Sequence, residues 1–178
     1  MAQDLLRLFD TASAWSASMV PEASSSMDAP TPCDDWDVRT LLNHMLDTQR
    51  YFTAVARGEE ASPPSPRPPA LLSADPAADF ELGRAETMKV FGSPGVIEKT
   101  GPSLGIAFSD QLLHGWDLAR ATDQDAAMPA GLPEAAYDLI HGAFTDEQRV
   151  GVFKPEVDPG PDPSAQDRLL AYAGRTPS

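Results

Sequence analysis

Apolar residues along this chain recur at intervals of three and four, the period of a helix with one buried face. No stretch keeps the two-residue alternation of a half-buried strand. Residues 3–20 set the pattern with Leu5, Leu6, Leu8, Phe9, Ala12, Trp15 and Met19, after which Pro21 and Ser24-Ser25-Ser26 break it. Residues 27–36 hold Pro30 and Pro32, which forbid a continuous helix and predict a rigid connector. A second helix is predicted over 37–57, striped by Val38, Leu41, Leu42, Met45, Phe52 and Val55, with Asp37 as N-cap and Gly58 as stop. The run Pro63-Pro64-Ser65-Pro66-Arg67-Pro68-Pro69 then predicts a long loop over 59–74, partly in polyproline II form.

A third helix follows over 76–91, with Phe80, Leu82, Ala85, Met88 and Val90 available for burial and Gly92, Pro94 and Gly95 closing it. Residues 96–100 are expected to form a short extended piece. A fourth, long helix is expected over 103–122, and it has two different faces. One carries Leu104, Phe108, Leu112, Gly115 and Ala119; the other carries Asp110, His114 and Asp117. Beyond Pro129 and Pro133 a fifth helix over 134–144 has Ala135, Leu139 and Ile140 to bury, and a loop leads on through Pro163. The last helix, 165–172, begins at a capping box of Ser164 and Asp167 and stops at Gly174. The pattern predicts an all-α fold: an antiparallel helical bundle in a single domain over 1–178, with short extra helices at its C-terminal end.

Composition changes this picture in few places. A chain of 178 residues, 42% hydrophobic and 22% charged, is an ordinary globular domain with a full-sized core. Its 18 prolines are about twice the usual share, but they lie between the periodic segments and so punctuate helices. With 27 acids against 13 bases the net charge is −14, and no Lys/Arg-rich run offsets it locally. Such a surface repels phosphate backbones, which argues against nucleic acid as a partner. The single cysteine, Cys33, rules out an intrachain disulfide. No apolar run approaches the roughly 20 residues that span a bilayer, and Asp4, Arg7 and Asp10 interrupt the segment where a secretory signal would need an apolar block. No membrane association and a cytoplasmic location are therefore expected.

The chemistry-bearing residues are sparse. Asp110 and His114, four apart on the predicted fourth helix, stand one turn above each other and present lone pairs to one point in space. The same spacing also suits a hydrogen bond that merely orients a half-buried histidine. There are three histidines: His44, His114 and His141. His44, mid-helix on the flank of an apolar stripe, is the better third ligand. Two histidines and one carboxylate with an open fourth position is a catalytic zinc arrangement, and bundles house metals between facing helices. Asp117 either supports a ligand histidine or pairs with Arg120 at the surface. His141 reads as a helix-end residue, Cys33 as a packing cysteine, and Trp36 and Trp116 as core anchors. No phosphate loop, nucleophile elbow or Cys-x-x-Cys pair is present.

Thr31-Pro32-Cys33-Asp34-Asp35-Trp36-Asp37-Val38, followed by Leu41-Leu42-Asn43-His44-Met45, resembles the start of the second helix in the DinB-like superfamily. Its nearest likeness is the metal-binding N-terminal domain of mycothiol-dependent maleylpyruvate isomerase and small single-domain relatives of it. His114-Gly115-Trp116-Asp117-Leu118-Ala119-Arg120-Ala121-Thr122 is similar to a second signature of those relatives, and residues 165–171 with Gly174-Arg175 to their ending. The resemblance implies a DinB-like four-helix bundle of up-down-down-up type with a divalent metal at one end. It places the ligands at His44, Asp110 and His114, the set that spacing also favours. Asp110 stands where the isomerase has a glutamate, one methylene longer. The isomerase has a further catalytic C-terminal domain, for which this chain is expected to lack room, so isomerase activity is not carried over.

These readings lead to a metal-dependent S-transferase. Zinc, or nickel as the next choice, on His44, Asp110 and His114 would hold a low-molecular-weight thiol such as mycothiol as thiolate for attack on a small electrophile. The alternatives are a non-catalytic metal- or small-ligand-binding bundle, and a structural bundle whose three ligands lie far apart. Pairing into a homodimer is compatible with a helical bundle of this size.

Overall fold

The computed structural model describes residues 2–149 and 152–177, and these are mostly helices, turns and loops, with an isolated antiparallel bridge between Pro30 and Asp37. The helices are α1 (Ala2–Ser18), α2 (Val20–Ala23), α3 (Val38–Arg57), α4 (Pro76–Phe91), α5 (Val96–Ala121), α6 (Leu132–Ile140), α7 (Asp146–Arg149) and α8 (Ala165–Tyr172). They fall into two compact units, residues 1–127 and 128–178. None is long and apolar enough to cross a membrane.

In the first unit the four long helices close a ring in which α1 packs on α4 and α5, and α3 packs on the same two. The contacts fix the directions. Gln49 meets Gly83 and Thr53 meets Thr87, so α3 and α4 run parallel; Asp10 pairs with Arg84 while Leu6 reaches Gly92, so α1 and α4 are antiparallel. The bundle is therefore up-down-down-up, not the alternating arrangement that periodicity alone suggests. Parallel neighbours cannot be joined by a short turn, because the chain must first return the length of a helix, about 30 Å for 20 residues. The proline-rich segment 58–75 does this. It is tied back onto the start of α3, where Asn43 Oδ1 accepts from the N–H groups of Leu71 and Leu72 at 2.6 and 3.1 Å.

The core is built from the predicted stripes: Phe9, Leu41, Leu42, Met45, Phe80, Leu104, Phe108 and Leu112 are fully enclosed. Each contributes about 1.5–3 kcal/mol relative to an exposed side chain. Opposite the polar face of α5, Gly115 is pressed against α1, and a Cβ there would lie 2.7 Å from Trp15 Cζ3 and 2.9 Å from Ser16 Cβ. Only glycine permits this approach, and the approach turns Asp110, His114 and Asp117 away from α1.

Several local expectations are corrected. Residues 96–100 are helical, and α5 begins at Val96 with Pro102 inside it. Pro102 removes the N–H that would reach Glu98, and both residues are exposed, so the freed carbonyl is left on the solvent side. The fifth helix is displaced to 132–140, because Gly131 at φ 81° starts it and the extended His141 ends it. Leu82 and Leu139, expected inside, are exposed; Thr87 and Phe91 take the buried positions on α4. The loop running to Pro163 contains the single turn α7.

In the second unit α6 packs on α8, with the Tyr172 hydroxyl donating to Ile140 O at 3.1 Å. Arg149 lies over the Tyr172 ring, 4.2 Å from its centroid, and donates to the Tyr172 carbonyl. The capping box at Ser164 and Asp167 is formed as predicted.

The helix bearing His44 starts at Asp37, whose Oδ1 accepts from Thr40 Oγ1 at 2.7 Å and Thr40 N at 2.8 Å. The Thr40 hydroxyl bond, more than any other influence, holds the Asp37 carboxyl below its ordinary value. A depressed native pKa adds stability above the unfolded value, about 3.9, and that stability disappears as pH falls through the native value. Asp37→Ala is expected to cost about 1 kcal/mol in urea unfolding at pH 7. The gap to wild type should hold down to about pH 5 and narrow below about pH 4. A gap independent of pH would contradict the cap.

Candidate metal centre

The candidate ligands come from two helices that cross the bundle side by side. On α5 the four-residue spacing stacks Asp110 and His114, and α3 delivers His44 from the facing helix. His44 Nε2 lies 3.4 Å from Asp110 Oδ1, and His114 Nε2 lies 3.6 Å from the same oxygen. All three donor atoms fall within 4.8 Å of one another. Atoms bound at about 2.0–2.2 Å to a tetrahedral ion stand about 3.3–3.6 Å apart, so these two edges fit a coordination polyhedron. Two imidazoles and a carboxylate also suit a divalent transition ion chemically. The side chains of His44 and His114 are 13% exposed and that of Asp110 18%, so one side of the group meets solvent.

Neighbouring groups decide how the donors point. Asp117, fully buried, places Oδ2 2.9 Å from His114 Nδ1. A carboxylate there keeps the proton on Nδ1 and leaves the Nε2 lone pair facing Asp110 and His44. Asp110 is steadied from its other oxygen, where Oδ2 accepts from Gln111 Nε2 at 3.4 Å, and Gln111 Oε1 in turn accepts from Gln49 Nε2 at 3.1 Å. Both glutamines are buried, so this chain stiffens one edge of the group. His44 is held differently. Its Nδ1 is buried with no hydrogen-bond partner among the described residues, Thr48 Oγ1 lies 3.4 Å from its Nε2, and its ring packs against Trp36 with centroids 4.7 Å apart.

Trp36 and Cys33 arrive through the connector. The Thr31 hydroxyl donates to Trp36 O at 2.9 Å and accepts from Cys33 N–H at 3.2 Å, while Trp36 N–H closes a turn onto Cys33 O. Asp35 takes φ 62° in that turn, a left-handed conformation that aspartate tolerates better than most residues. The turn puts the Trp36 ring over both imidazoles, 6.0 Å from His114, with the indole N–H donating to Pro66 O of the crossover. It also puts Cys33 Sγ 3.2 Å from Asp117 Oδ2 and 3.9 Å from His114 Nδ1. The expected packing cysteine is thus a half-buried neighbour of the site.

Cys33, His114 and Asp117 form a second group of metal-ligating types. Its 2.9 Å edge between His114 Nδ1 and Asp117 is shorter than ligand atoms on one ion stand, and matches a charge-assisted hydrogen bond. The first group therefore has the spacing of ligands and the second that of their support. Asp117 does not pair with Arg120, which is exposed and lies over the Trp116 ring. His141 ends α6 in the second unit, stacked on Tyr137 at 4.7 Å. Sequence reasoning missed Gln49, Gln111 and Thr48. Their polarity at buried helical positions was the available signal, since buried amides and hydroxyls demand partners.

Residues 9–93 match the family described as the mycothiol maleylpyruvate isomerase N-terminal domain, in agreement with the resemblance read from the sequence. His44 lies inside the matched range; Asp110 and His114 lie beyond it. Two uncharacterised proteins of Mycobacterium tuberculosis, MT0763 of strain CDC 1551 / Oshkosh and Rv0738 of strain ATCC 25618 / H37Rv, are each 29% identical to this chain. The alignments cover 92% of this chain and 92% of each relative. No solved structure gives a significant match.

Replacing Asp117 by Asn leaves its shape and removes the charge that orients His114. Zinc affinity, measured by competition with a chelator, is expected to fall about 10–100-fold. An unchanged affinity would mean that Asp117 does not orient a ligand.

Proposed function

We propose that this chain is a metal-dependent S-transferase, using a low-molecular-weight thiol of the mycothiol type against a small electrophile. The observation that carries the proposal is the convergence of His44 Nε2, Asp110 Oδ1 and His114 Nε2 at ligand separations, on a side that meets solvent. The match of residues 9–93 to a mycothiol-related domain family supports the choice of thiol. A divalent ion at this point favours the thiolate form of a thiol at neutral pH.

The chain's own residues have three tasks. His44, Asp110 and His114 would hold the ion, with Asp117 and Gln111 fixing two of the three donors in advance. Preorganisation of this kind removes rearrangement from the reacting step. Trp36 walls one side of the group and limits water around the imidazoles. The partly exposed side is left for the thiol and its electrophile. No further base would be needed, because a thiol whose pKa the ion lowers would lose its proton to solvent at pH 7.

Titration of mycothiol into zinc-loaded protein, followed by calorimetry, is expected to show saturable binding that is lost in His114→Ala. Thiol consumption should then appear with at least one member of a panel of small electrophiles. Zinc binding without thiol binding or consumption would overturn the transferase and leave a metal-binding bundle without catalysis.

A further inference from the structure

Cys33 is not needed by the three-ligand site, yet the connector's turn aims it at the one buried carboxylate that supports that site. We propose that Cys33 is a positioning residue of the metal centre: its S–H donates to Asp117 Oδ2 and, through that carboxylate, fixes the imidazole of His114. This inference rests on the proposed metal centre and adds Cys33 to the residues that support it.

Two distances carry it. Cys33 Sγ lies 3.2 Å from Asp117 Oδ2, and His114 Nδ1 lies 2.9 Å from the same oxygen. One carboxylate oxygen therefore receives a donor from the connector and a donor from α5. Asp117 is fully buried, and a carboxylate out of water needs donors to remain in one orientation. The thiol is a weak donor, but the carboxylate it meets is fully buried and has no water to compete for it. Cys33 Sγ is 3.9 Å from His114 Nδ1, too far for a useful bond from sulfur to that nitrogen, so its effect on the imidazole passes through Asp117. The backbone around Cys33 is fixed by Thr31, whose hydroxyl accepts the Cys33 N–H, so the thiol is presented by a closed turn. A cysteine that only filled space would have no reason to meet the carboxylate oxygen that also takes the histidine N–H.

The test compares tag-free wild type with Cys33→Ala, Cys33→Ser, Asp117→Asn and the Cys33→Ala/Asp117→Asn double variant. Two readouts are taken: the ring ¹⁵N resonances of His114 in metal-free protein, and the zinc dissociation constant by chelator competition. Wild type and Cys33→Ser are expected to keep His114 protonated on Nδ1, whereas Cys33→Ala gives a mixture of tautomers. Cys33→Ala should weaken zinc about three- to tenfold, the size of one lost hydrogen bond, while Cys33→Ser stays within about twofold. In the Asp117→Asn background, Cys33→Ala should add nothing further. Equal losses in the alanine and serine variants would overturn the proposal. So would a fall in thermal stability with the His114 resonances unchanged, since that is the mark of packing alone. A tautomer change in a protein that binds no zinc would leave the relay standing and remove the metal centre instead.

Discussion

A hydrogen bond between His114 Nδ1 and the buried Asp117 carboxylate sets which nitrogen of His114 is free, and the rest of the site follows from that choice. With the proton held on Nδ1, Nε2 faces Asp110, whose second oxygen is taken by Gln111. Two of the three candidate donors are thus oriented by buried neighbours. Burying Asp117 would be costly if it stood alone; the imidazole and the Cys33 thiol offset that cost at one oxygen.

The topology makes this arrangement reachable. Because α3 and α4 run parallel, the chain needs a long return, and residues 58–75 supply it as a stiff proline-rich segment. That return passes the start of α3, where Asn43 fastens it and Pro66 takes the Trp36 indole N–H. The aromatic wall over the imidazoles is therefore positioned in part by the crossover segment. On the other side of α5, Gly115 lets α1 come close enough to set the rotation of the helix. Substitutions at such places act on the site through geometry alone.

Much of this was legible in the sequence because it depends on local periods. The 3.6-residue repeat located the long helices, Asp37 and Gly58 marked the ends of α3, and the four-residue spacing of Asp110 and His114 put them on one face. What was not legible depended on non-local contacts. Leu82 has the chemistry of a core residue but falls on an exposed face of α4. Residues 96–100 have weak local preference, and the helix that follows extends into them. The direction of the four helices cannot be inferred from periodicity, although the length of the 58–75 connection favours a parallel pair. Cys33 looked like packing because its neighbours in sequence are Pro32 and Asp34, whereas its neighbours in space are Asp117 and His114.

The central claim is that His44, Asp110 and His114 together hold one divalent ion. Elemental analysis of tag-free wild type beside single alanine variants of each of the three, with His141→Ala as the control, addresses it directly. About one equivalent of a divalent transition metal is expected in wild type and in His141→Ala, and loss of it in each of the other three. Metal absent from wild type, or retained when the ligands are removed, would contradict it.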